Sequence, residues 1–116
     1  MVTSSEHTQV YTHVMGLIGD STDGSGKITK TLKVNGFLTI LDICNMNKQM
    51  VKTLYYKVSK RKVELTIGHQ NKIISIGLFN RQQRKNDTSF GILDWLNITQ
   101  DNFDEFRHDY DPNKAQ

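Results

Sequence analysis

Between Lys62 and Phe79 apolar and polar side chains change places at nearly every step. Val63, Leu65 and Ile67 alternate with Lys62, Glu64 and Thr66, and after His69-Gln70-Asn71 the pattern resumes with Ile74, Ile76 and Leu78. A strand sends successive side chains to opposite faces, so this alternation predicts a hairpin with the polar triplet as its turn. The same period, rich in β-branched and aromatic residues, predicts strands over residues 8–18, 28–34, 37–43, 51–58, 62–68 and 72–79, with a short one over 90–93. Gly36, between Val34 and Phe37, predicts a bend at which a long ribbon curls. The expected fold class is all-β, a curled antiparallel barrel of about five to six strands. A short C-terminal α-helix completes it: Thr99 caps a helix through about Tyr110, Phe103, Phe106 and Tyr110 share one face, and Pro112 ends it. That aromatic face is expected to dock on the barrel. Residues 1–100 form the expected barrel domain and residues 101–116 the acidic helix and tail.

A chain of 116 residues holds one core, and a hydrophobic share of 36% makes that core economical, so a homodimer that completes it is expected. No apolar run approaches the length that crosses a bilayer, and the N-terminal MVTSSEHTQ does not resemble a signal peptide. The expectation is a cytoplasmic protein with no membrane partner. The single cysteine, Cys44, has no internal disulfide partner, which suits a reducing compartment.

Charge is segregated along the chain. Residues 27–85 hold thirteen Lys or Arg side chains against Asp42 and Glu64, a formal +11, while residues 1–26 carry −3 and residues 86–116 carry −5. Such a field attracts polyanions, since each phosphate it neutralises releases condensed counterions. The acidic end can repel phosphates or recruit a basic protein.

Motifs for other chemistries fail on their spacing. In the GDSTDGSG stretch, Gly26-Lys27 has Ser21 and Ile28 where a phosphate-binding P-loop requires Gly and Ser or Thr. As a calcium loop it begins with Ser21 and places Leu32 where a bidentate Glu is required. A flexible loop is expected there, and a second over the polar residues 80–89. His7, His13, His69, His108 and Cys44 show no metal-ligand spacing, and no nucleophile elbow is present. No catalytic residue, metal or cofactor is expected, and Cys44 is expected to be a small core residue.

Aromatic and basic residues do interleave: Lys33, then Lys52, Tyr55, Tyr56 and Lys57, then Lys60, Arg61 and Lys62, and finally Phe79 with Arg81, Arg84 and Lys85. Tyr55 and Tyr56 must leave a strand on opposite faces, one toward the core and one outward. Phe79 shares its expected face with Ser75 and Gly77, which would leave its ring accessible. Exposed rings beside cations suit single-stranded nucleic acid, because unpaired bases stack while the cations follow the phosphates.

A small β-rich chain with a glycine bend, a basic aromatic middle and an acidic C-terminal segment resembles the single-stranded DNA-binding proteins of phages of lactic-acid bacteria. The resemblance implies an OB-like barrel with a positive groove, protection of single-stranded DNA during replication or recombination, and contacts with replication or recombination proteins through the acidic segment. The chain departs from the bacterial pattern after Asp111, ending in Pro112-Asn-Lys-Ala-Gln without an acidic Pro-Phe tip. The expected function is single-stranded DNA binding without sequence preference. The competing expectations are a structural or assembly protein of a phage particle and a binder of anionic lipid headgroups.

Overall fold

The computed structural model describes residues 1–21 and 25–109. In chain order these form α1 (Ser4–Leu17), α2 (Lys27–Val34), α3 (Ile40–Cys44), α4 (Lys48–Thr53), β1 (Tyr55–Val58), β2 (Arg61–Glu64), α5 (Ile67–Asn86), a 3-10 helix (Ile92–Asn97) and α6 (Gln100–Asp109). The expected all-β, OB-like barrel is therefore overturned. The described residues are mostly helical, and their sheet consists of β1 and β2 alone.

Local hydrogen bonding explains the difference. Thr3, Thr39, Thr66 and Thr99 each accept a hydrogen bond through their hydroxyl from the backbone N–H three residues on, at 3.1–3.2 Å, and so start α1, α3, α5 and α6. Glu6 and Asp42 reach back to the N–H groups of Thr3 and Thr39, closing two capping boxes. Helix ends are marked equally clearly. Gly19 (φ +79°) and Gly36 (φ +90°) adopt the left-handed conformation just past α1 and α2. Behind them Asp20 N–H donates to Met15 O and Phe37 N–H to Leu32 O, both at 2.9 Å, the six-to-one bond of a Schellman ending. Gly36 thus ends a helix and does not bend a ribbon.

The strand expected over residues 8–18 is α1, whose buried Val10, Tyr11, Val14, Met15 and Leu17 recur at helical spacing, with buried Ile18 at its C-terminal cap. Residues 28–34 belong to α2 and residues 40–43 to α3, while 51–58 divides between α4 and β1. The expected hairpin of 62–68 with 72–79 is replaced by β1 with β2, and its second strand lies within α5. Residues 80–86, expected in a loop, extend α5, and the short strand expected over Phe90–Leu93 is replaced by the start of the 3-10 helix at Ile92.

The expected C-terminal helix is present as α6, and its aromatic face docks. Phe103 and Trp95 are fully buried and Phe79 is 1% exposed. The Phe79 ring centroid lies 5.1 Å from that of Trp95 and 5.2 Å from those of Phe103 and Phe106. The Trp95 indole N–H donates to Asn80 Oδ1 at 3.1 Å, so the cluster leaves its polar edge satisfied. Tyr110 and Pro112 lie outside the described residues. Truncating Phe103 to Ala should cost about 3–5 kcal/mol, read as a lower urea midpoint. An unchanged midpoint would show that α6 does not hold the core together.

Candidate nucleic-acid interface

Helices α3 and α4 are joined by the three residues Asn45-Met46-Asn47, and both pack on α5. Asn47 starts α4, its Oδ1 accepting the Met50 N–H at 2.9 Å. Ile40, Ile43 and Val51 are buried in the same core as Ile73 and Ile76 of α5, which packs against both helices. With Val51 turned inward, α4 leaves Gln49, Met50, Lys52 and Thr53 in solvent.

The chain passes from α4 through buried Leu54 into β1, and from β2 through buried Leu65 to the Thr66 cap of α5. The hairpin between them pairs Tyr55 with Glu64, Tyr56 with Val63, Lys57 with Lys62 and Val58 with Arg61. One face therefore presents Tyr55, Lys57, Lys62 and Glu64, the other Tyr56, Val58, Arg61 and Val63. Tyr56 and Val63 are half-buried; Tyr55 is the outward ring, 37% exposed. Lys62 Nζ stands 4.6 Å from the Tyr55 ring centroid and 3.2 Å from Glu64 Oε1, which lessens its repulsion from Lys57 directly opposite. Asn35 holds the hairpin against α2, its amide donating to Tyr55 O at 2.9 Å and Thr31 O at 2.7 Å.

At the apex Ser59 and Lys60 have φ values of +50° and +72°. A two-residue turn with both residues left-handed matches the twist of a hairpin and favours Asn-Gly; Ser-Lys in that place stores strain. The apex is thus kept charged at a cost in stability.

Of the residues singled out in the sequence, Lys33, Lys52, Lys57, Lys60, Arg61 and Lys62 are exposed on the connected α2, α4 and hairpin elements. Lys33 Nζ lies 5.3 Å from the ring centroid of Tyr11, a phenol whose ionisation is pushed up by burial and whose hydroxyl donates to Phe37 O at 2.9 Å. Arg81, Arg84 and Lys85 are exposed on the last turns of α5. Arg81 lines one groove of about 220 Å³ with Lys48, between the α3–α4 turn and α5. Phe79 is not an accessible platform; its ring is the centre of the aromatic cluster. Gln49, Met50, Thr53 and the strained Ser59 were missed, although Asn47 as a helix cap and the Thr39-x-x-Asp42 box signalled a helix there.

The acids Asp101, Asp104 and Glu105 are exposed on α6. Cys44 lines the same groove as Lys48, and burial pushes its thiol up to about 12. Among the described residues no three His, Cys, Asp or Glu side chains form a group that could hold a metal ion. Compared with family models, with curated proteins and with solved structures, the chain finds no match in any of the three.

Replacing Lys60 with Gly should relieve about 1 kcal/mol of left-handed strain, partly offset by glycine's greater chain entropy, and raise the thermal midpoint slightly. A variant that melts earlier would contradict the strained turn.

Proposed function

We propose that this protein binds duplex DNA through the face formed by the end of α2, the outer side of α4 and the β1–β2 hairpin. The observation that carries it is the hairpin, which keeps Lys57, Lys60, Arg61 and Lys62 in solvent, sets two lysines directly opposite each other and holds Lys60 in a left-handed conformation. The facing lysines and the left-handed Lys60 oppose folding, and a bound phosphate backbone would relieve the repulsion between the lysines. The exposed side of α4, one residue ahead of the hairpin, would enter a major groove while the hairpin meets the backbone next to it.

Single-stranded DNA, the expected ligand, draws on the same cations but needs open rings. Phe79 is buried, and the exposed Tyr55 already carries Lys62 over its ring. Duplex is favoured for that reason. No described helix is long and apolar enough to cross a membrane, and nothing in the face favours lipid over phosphodiester.

The test is fluorescence anisotropy with a labelled duplex of about two helical turns, its separate strands and anionic vesicles, at two salt concentrations. The duplex should bind most tightly. If Lys33, Lys52, Lys57, Lys60, Arg61 and Lys62 each neutralise one phosphate, the log–log salt slope should be about −5. Tighter binding of a single strand would restore the single-strand reading for replication or recombination, and binding to vesicles alone would remove nucleic acid altogether.

A further inference from the structure

The hairpin follows α4 after the single residue Leu54, and the two present different chemistry to solvent. The hairpin is mainly cationic, whereas only Lys52 of the four outward residues of α4 is charged. The Gln49 carboxamide has no side-chain partner among the described residues and lies in solvent, so both its donor and its acceptor are available. Met50 leaves 41% of its surface in water on an otherwise polar face. The Thr53 hydroxyl donates to Met50 O at 2.9 Å, which directs its proton into the helix and leaves its methyl and lone pairs outside. A helix used only to hold phosphates has no use for an amide and a thioether. Adenine presents an N7 acceptor beside an N6 donor in the major groove, the complement of a carboxamide, and thymine presents a methyl that takes an apolar contact.

We infer that α4 selects sequence, with Gln49 reading an adenine edge and Met50 packing on a neighbouring thymine methyl, so that the preferred ligand is a duplex site containing A·T pairs. This rests on the duplex binding proposed above. Two kinds of contact then divide the work: α4 discriminates between sites, and Lys57, Lys60, Arg61 and Lys62 hold any duplex alike. The rigid seat of α4 makes this division workable, because Val51 and Leu54 fix its inner side in the core while Gln49 and Met50 stay exposed. Replacing either exposed residue should leave the fold unaffected.

The experiment selects binders from a randomised duplex pool with the full chain, then compares the enriched site and a scrambled duplex for the protein and for Gln49→Ala, Met50→Ala and Lys57→Ala. An enriched site with A·T pairs is expected. Gln49→Ala and Met50→Ala should each lower the ratio of affinities for the enriched site and the scrambled duplex about tenfold. Lys57→Ala should weaken both duplexes by the same factor. Duplex binding without any enriched site would overturn the selection by α4 and leave duplex binding standing. An enriched site whose preference survives both α4 substitutions would overturn the assignment to Gln49 and Met50. Failure to bind any duplex would overturn both.

Discussion

One face of α5 carries Ile73, Ile76 and Phe79, none more than 1% exposed, and both halves of the molecule are built on it. Helices α3 and α4 rest on its first half; the 3-10 helix and α6 close around Phe79 on its second. A buried aromatic removes about 150–250 Å² from water, worth about 4–6 kcal/mol at most by area. Stacking a base on an open ring is worth about 1–3 kcal/mol. The ring that looked suited to nucleic acid is therefore better used inside, where it meets Trp95, Phe103 and Phe106 at once.

With α5 as support, the polar surface is free to carry charge. A two-stranded hairpin is marginal by itself. Here Leu54 and Leu65 fix its two ends in the core and Asn35 clamps Tyr55 to α2. That anchoring lets the exposed part tolerate Lys57 against Lys62 and a left-handed Lys60. Lys33 of α2 and Lys52 of α4 join the four hairpin cations, so six of the thirteen cations of the +11 middle lie on these elements, while Arg81, Arg84 and Lys85 lie on the last turns of α5 and Asp101, Asp104 and Glu105 occupy α6.

Charge segregation, the docked C-terminal helix and the opposed faces of Tyr55 and Tyr56 were legible in the sequence. The fold class was not. In residues 73–79, Ile74, Ile76 and Leu78 satisfy a period of two, yet Ile73, Ile76 and Phe79 satisfy a helical spacing equally well. Short apolar runs leave that choice to their flanks. Those flanks held the answer: Thr3-x-x-Glu6 and Thr39-x-x-Asp42 are capping boxes, Thr66 starts α5, and Gly19 and Gly36 follow helical runs. Alternation through Val63 and Leu65 was real for β2, but it continued by coincidence into Ile67, the first and largely exposed residue of α5. The cationic candidates are exposed all the same, because a charge is exposed on a helix as readily as on a strand. Phe79 is buried instead, since its expected exposure depended on the period.

The most direct measurement is amide chemical-shift mapping of the ¹⁵N-labelled protein during titration with duplex DNA. Perturbations should concentrate in α4 and the β1–β2 hairpin, residues 48–64, with the end of α2 following, and should spare α6. Shifts centred on Phe79, Phe103 and α6, with residues 48–64 unmoved, would contradict the assignment of this face.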